Sequence, residues 1–143
     1  MLFRSVSKGN RIPGIARQTL KLRAAYDVTS AWNIGTNVVV ASGQFARGDE
    51  NNQDVNGKVP GYAVVNLDTH YSINHNWKLF GKINNLFDKD YATFGVLGGN
   101  IFNLDASSLP INEQFRSPAA PRAAWVGVTY EFGTKKSTAD IDF

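Results

Sequence analysis

Hydrophobic and polar residues alternate with a period of two along most of this chain, the pattern of strands with one apolar face. From residue 17 to 29 the even positions read Leu20, Leu22, Ala24, Tyr26 and Val28, and the odd ones Thr19, Lys21, Arg23, Ala25 and Asp27. Ser30 and Ala31 leave room only for a tight connection. A second strand follows from Trp32 to Phe45, with Trp32, Ile34, Val38 and Val40 on one face and Asn33, Gly35, Asn37 and Gly43 on the other. Residues 46–60 are polar and read as a loop. A third strand, Tyr62 to Ile73, sets Ala63, Val65, Leu67, Tyr71 and Ile73 against Asn66, Asp68, His70 and Ser72. Asn74, His75 and Asn76 form a short turn.

The fourth strand begins at Trp77 and sets Leu79, Gly81 and Ile83 against Lys78, Lys82 and Asn84. Its alternation fails at Asn85-Leu86, which predicts a bulge or an exit from the sheet. Residues 94–121 contain Gly and Pro and read as a long loop. The last strand, Ala123 to Phe132, alternates Ala124, Val126, Val128, Tyr130 and Phe132 with Trp125, Gly127, Thr129 and Glu131. Residues 133–143 form a polar tail. The fold class this predicts is all-β, an antiparallel meander of about five long strands. Short turns lie at one end; the long loops, with the segment 9–14, lie at the other.

Strand length bears on what the apolar face touches. The predicted strands exceed the ~5 to 6 residues usual in soluble sheets and match the ~9 to 11 of a tilted membrane-crossing strand. Tyr26, Trp32, Tyr71, Trp77, Tyr130 and Phe132 all fall on the apolar face, near the short-turn end. Rings collected at one level suit a headgroup boundary, where the ring body is apolar and the Tyr or Trp edge keeps a hydrogen bond. The opposite face carries Lys21, Arg23, Asp27, Asn33, Asn37, Asp68, His70, Lys78 and Lys82, as a barrel lumen would. A soluble, lipocalin-like β-barrel binding a small apolar ligand would place the same polar face in water, and stands as the alternative.

Composition removes other classes. Among 143 residues there is no cysteine, so disulfides, thiolate metal sites and cysteine nucleophiles are out. No run approaches the ~18 to 20 apolar residues of a membrane-spanning helix. The opening MLFRSVSKGN lacks the apolar core of a secretion signal. The net charge of +3 implies no partner by itself, and the basic residues are dispersed, with only Lys135 and Lys136 adjacent, so no nucleic-acid partner is expected.

His70 and His75 have no ligand cluster around them, so no metal site and no cofactor is predicted. Asp88 with Asp90, Asp49 with Glu50, and Glu113 with its nearby serines make no acid–base pair or triad, so no enzyme is predicted. Gly95 to Gly99 does not join a strand to a helix and is no phosphate cradle.

The segment GYAVVNLDTHYSINHNWKLFGKINNLFDKDYATFG, Gly61 to Gly95, resembles the C-terminal part of the β-barrel of TonB-dependent outer-membrane receptors. Its most specific feature is Asn85, Leu86, Phe87 and Asp88 followed by Tyr91, with Gly61-Tyr62 and Val65-Asn66-Leu67 in matching places. Arg11 to Val28 resembles the family's proline-containing loop and following strand, and Pro121 to Phe132 its closing strand. Gly127, Tyr130 and Phe132 resemble the terminal signal read by the barrel-assembly machinery, although Trp125 stands where a polar residue is usual and the chain continues beyond Phe132.

The resemblance implies a larger transmembrane barrel in the Gram-negative outer membrane, importing a bulky nutrient, foremost a ferric siderophore. It implies as partners outer-membrane lipid, the remaining strands and plug, and the TonB energy-coupling system acting through that plug. Five strands cannot close a barrel, and no plug, TonB box or export signal is present. Residues 1–132 are therefore expected to be a partial barrel that does not transport alone, and 133–143 its tail. The resemblance also makes the long loops the ligand-capturing region. There Arg47 and Arg116 offer guanidinium groups, and Phe94, Phe102 and Phe115 flat apolar rings, for an anionic or aromatic chelate.

Overall fold

Every strand of the main sheet pairs antiparallel with its neighbour. The computed structural model describes residues 6–132, and the predicted tail lies outside the described residues. The elements are β1 (Thr19–Thr29), β2 (Trp32–Ala41), β3 (Tyr62–Ser72), β4 (Trp77–Asn84), β5 (Ala92–Leu104), β6 (Pro110–Pro118) and β7 (Ala123–Tyr130). Five of them form one sheet in the order β1-β2-β3-β4-β7, and β5 pairs with β6 in a separate hairpin.

The register aligns the predicted faces across the whole sheet. Tyr26, Ile34, Thr69, Gly81 and Val126 follow one another from β1 to β7, and all lie on the apolar face. The next row, Asp27, Asn33, His70, Phe80 and Gly127, lies on the other. A slip by one residue would exchange the two faces, so the alternation excludes it, and the short turns fix the remaining choice of register.

Both short turns close on a side-chain oxygen. Thr29 Oγ1 accepts from the amides of Ala31 and Trp32, and Asn74 Oδ1 from those of Asn76 and Trp77. These turns bring the rings together: Trp32 is opposite Tyr71, and Trp77 is opposite Tyr130 with ring centroids 4.7 Å apart. Trp32 Nε1 donates to Thr69 Oγ1 at 2.9 Å, keeping its polar edge satisfied.

The sheet has almost no core. Among the described residues only Ala41, Ala46, Val59 and Val64 are buried apolar side chains, while Tyr26 is 72% and Val126 85% exposed. An apolar face this extensive, left open on a water-soluble protein, would be an association site. Against hydrocarbon it is covered by the solvent itself.

Three boundaries differ from expectation. Residues 94–121 are not one loop: they contain most of β5 and all of β6. Gly95, Gly98 and Gly99, the last packed closely against Pro110, remove the alternation that would have betrayed these strands. β2 stops at Ala41 rather than Phe45, because the chain beyond it turns to meet Val59 and β5 instead of continuing along β1. At Asn85 the chain leaves the sheet, with φ of 51°, which settles the choice between bulge and exit.

Candidate functional site

The two long connections and the segment 9–14 lie at the same end of the sheet and are bound to one another. The knot at their base is the Asn85–Asp88 turn. Asn85 is 3% exposed; its Nδ2 donates to the carbonyls of Lys89 and Ala120, and its Oδ1 accepts from the Lys89 amide. The amide of Leu86 donates to the Val65 carbonyl at 2.8 Å, and Asp88 Oδ1 accepts from the Arg122 amide at 2.9 Å. Tyr91 stacks on Tyr62 with centroids 4.5 Å apart. Asn85, Leu86, Asp88 and Tyr91 thus join β3, the exit from β4 and the entry to β7. Phe87, 74% exposed, stands apart from this knot. These residues hold the bases of the loops together.

The loop 42–61 docks on β5. The Arg47 amide donates to the Gly95 carbonyl, and the Leu97 amide donates back to the Arg47 carbonyl, both at 2.8 Å, a parallel bridge that pairs Arg47 with Val96. Ala46 and Val59 are fully buried against Gly95, where any β-carbon would collide with the Val59 side chain. Gln114 Nε2 donates to Asp54 Oδ2 and to the Gly57 carbonyl. The segment 9–14 joins this body through Asn10 Nδ2 to the Asn51 carbonyl and Gly14 N to the Phe45 carbonyl.

This docking gives the hairpin two unlike faces. Gly95, Leu97, Gly99, Gln114 and Arg116 share the face on which loop 42–61 packs, and Arg116 Nε donates to Gln114 Oε1. Phe94, Val96 and Phe115 share the opposite, exposed face, and the parallel bridge places Arg47 on it as well. The structure therefore brings together Arg47, Phe94 and Phe115 of the five predicted loop residues. Arg116 is on the wrong side of the hairpin for them. Phe102 lies near the tip, 93% exposed, where the β5–β6 register breaks between Asn100 and Leu104.

The same exposed face carries Glu113, which sequence patterns assigned no role. Asn100 Nδ2 donates to its Oε2 at 2.8 Å and Asn103 Nδ2 to its Oε1, bracing the hairpin just where the register breaks. The Asn100 amide first, then that of Asn103, stabilises the ionised carboxylate and holds its pKa below the ordinary value. No spacing rule connects these three residues; only the hairpin does.

At the other end of the sheet, Tyr130 stacks between Trp77 and Phe132, the latter edge-on at 4.6 Å. β7 ends at Tyr130, but Asn76 extends the pairing by exchanging hydrogen bonds with Glu131, its carbonyl accepting the Glu131 amide. Gly127 is on the polar face, beneath the ring of Phe80. Among the described residues no group of His, Asp and Glu is arranged to hold a metal ion.

Residues 4–86 match the family described as TonB dependent receptor-like, beta-barrel. The chain belongs to this family. Its members are transport receptors rather than enzymes, and lie in the outer membrane of Gram-negative bacteria. The chain is 25% identical over 87 residues to the metal-pseudopaline receptor CntO of Pseudomonas aeruginosa (strain UCBPP-PA14), covering 61% of this chain and 12% of that protein.

Among solved structures, the siderophore receptor PiuA from Acinetobacter baumannii superposes with a TM-score of 0.64 at 24% identity, over 85% of this chain and 15% of the receptor. The copper transporter OprC superposes with a TM-score of 0.57 at 26% identity, over 86% and 18%. The chain thus spans less than a fifth of the length of these relatives. Family membership replaces the lipocalin-like alternative: the open five-stranded sheet is an arc of a larger barrel.

Proposed function

We propose that this chain forms a C-terminal arc of an outer-membrane receptor that imports a metal chelate, foremost a ferric siderophore, and that the exposed face of the β5–β6 hairpin meets the ligand. The observation that carries this reading is the convergence of Arg47, Phe94 and Phe115 on one exposed face, beside a hairpin anchored by loop 42–61. A guanidinium answers the negative charge of a chelate, and flat rings answer its apolar surface. Phe102 belongs to the same reading as an exposed ring at the tip, and Arg116 drops to a bracing role.

The remaining parts follow from the family. The polar face lines the lumen and meets a plug through which the TonB system acts. The apolar face meets outer-membrane lipid, and Gly127, Tyr130 and Phe132 present a terminal signal to the assembly machinery. Two open edges, β1 and β7, leave backbone groups that hydrocarbon does not satisfy, so the arc needs the rest of the barrel and does not transport alone.

The test uses the full-length receptor that contains this chain, in cells supplied with radioactive iron as ferric siderophores or with radioactive copper. Arg47→Glu combined with Phe115→Ala lowers uptake at least about tenfold, while Arg116→Ala leaves it near wild type. Equal losses in both variants would remove the exposed face from the ligand path, and uptake of copper but not iron would replace the substrate. External protease cleaves within residues 46–60 on intact cells; cleavage only after the envelope is opened would invert the topology.

A further inference from the structure

Loop 42–61 contains the one Asn-Gly pair of the sequence, Asn56-Gly57. Both residues are exposed, in a tight turn whose Gly57 amide donates to the Asp54 carbonyl at 3.0 Å. Gly57 has φ of 71°, and an added β-carbon there would meet nothing within 4 Å. The positive φ accounts for the glycine. The asparagine before it brings a chemical property of its own. An asparagine side chain can close a five-membered ring on the backbone nitrogen that follows it, and a following glycine has no side chain to hinder the closure.

In the docked loop both partners of that ring closure are occupied. The Gly57 N–H, which the attacking nitrogen must lose, is held by the Asp54 carbonyl. The Asn56 Nδ2, the group that must leave, donates to Asp54 Oδ1 at 3.1 Å, and the Asn56 amide donates to the same oxygen at 3.2 Å. The turn is in its own right clamped from β6. Gln114 Nε2 donates to Asp54 Oδ2 at 3.1 Å and to the Gly57 carbonyl at 2.8 Å, one contact at each end of the turn. Arg116 Nε donates to Gln114 Oε1 at 2.6 Å and so orients the clamp. Ring closure needs the turn to open, and Gln114 opposes the opening at both ends.

We propose that Asn56 is a deamidation site gated by the docking of loop 42–61 on the β5–β6 hairpin, and that its conversion holds the loop undocked. Once Gln114 lets go, the Gly57 nitrogen gives its proton to water and attacks Asn56 Cγ. The Cγ–Nδ2 bond breaks, and ammonia leaves with a proton returned from water. A water molecule then opens the ring at either carbonyl, giving aspartate or isoaspartate. The sum is one amide and one water converted to one carboxylate and one ammonium ion, with no oxidant and no cofactor. The new carboxylate has no N–H to offer Asp54 and meets it as a like charge. Isoaspartate also adds a methylene to the backbone, so Asp54 and Gly57 no longer match the two donors of Gln114. The proposal stands on the docked loop and not on what the hairpin face binds.

The test follows the full-length receptor in detergent during storage in mildly alkaline buffer. Mass spectrometry of the peptide that holds Asn56 reads the conversion, and a methyltransferase specific for isoaspartate labels the isomerised product. Asn56 converts faster than Asn51 and Asn52, which are followed by bulkier residues. Gln114→Ala speeds the conversion at least about fivefold, the factor that loss of one ordinary hydrogen bond gives. Gln114→Glu keeps an acceptor for Arg116 but offers Asp54 no donor, and it speeds the conversion as well, with the heat-dependent gel mobility of the barrel unchanged. Asn56→Asp, the product introduced by mutation, raises protease cleavage within residues 46–60 of the purified receptor. Conversion at Asn56 no faster than at Asn51 and Asn52 overturns the proposal, as do equal rates in the wild type and both Gln114 variants. An Asn56→Asp loop as resistant to protease as the wild type overturns the release step.

Discussion

The ring of Phe80 occupies the space above Gly127: a β-carbon built at residue 127 would lie far inside van der Waals contact of that ring. The two residues are directly opposite on β4 and β7, on the polar face. This glycine is required because the neighbouring strand carries an aromatic side chain that folds over it, on a face otherwise rich in charges. Gly35 repeats the arrangement beneath the Asp68 carboxylate, whose Oδ2 would lie 2.5 Å from an added β-carbon.

Gly127→Val in the full-length receptor therefore forces Phe80 off its rotamer and costs about 1–3 kcal/mol. The measurement is the melting temperature of the folded barrel by heat-dependent gel mobility. Phe80→Ala restores part of the loss when combined with Gly127→Val. No recovery in the double variant would show that the glycine matters for another reason, such as recognition of β7 during assembly.

Asn85 makes a sharper prediction, because it combines a positive φ with three buried hydrogen bonds. Asn85→Ala loses both and destabilises by about 2–4 kcal/mol. Asn85→Gly keeps the backbone freedom and loses only the side-chain bonds, so it falls between Asn and Ala. The readout is thermal melting together with protease cleavage in 85–91. Equal stability of the Ala variant and the wild type would refute the knot.

Glu113 gives the loop cluster a pH response. Its folded pKa is depressed below the ordinary 4.5, so its contribution is fully present above that value and is lost as pH falls through the lower folded one. The hairpin tip between Asn103 and Pro110 becomes more open to an acid-active protease as pH drops below 4.5, and Glu113→Gln shows the opened tip at neutral pH. A tip whose cleavage does not change with pH, in either protein, would contradict the bracing role.

The apolar face is tested by polarity-sensitive labels at residues 22, 38 and 67 of the full receptor. Leu22 is opposite Val38, Val38 opposite Val65, and Leu67 opposite Ile83, all on the apolar face. Each label reports a hydrocarbon environment and is quenched by brominated lipid tails. Labels unaffected by brominated lipid would place a protein interior there instead.

The main sheet was legible because its strands carry one apolar and one polar face, which imposes a strict period of two. The face that each residue of these strands takes could be read from that period, but not which residues stand opposite one another, such as Tyr26 and Ile34. β5 and β6 were illegible because their sequence does not alternate: their glycines answer local contacts such as Val59 against Gly95. The predicted loop residues were chosen for chemistry alone, which cannot tell which side of a hairpin a residue takes. Arg116 takes the hairpin face opposite to that of Phe94 and Phe115.

The amino-acid sequence by itself determined the five strands of the main sheet, their two faces, the ring level at the short turns and the membrane setting, because each follows from contacts between a residue and its solvent. The folding of loop 42–61 onto β5, the Asn85 knot, the Glu113 brace and the shared face of Arg47 with Phe115 were decided only by the tertiary structure. Those features depend on residues far apart in the chain meeting at one place, and no local periodicity records such a meeting.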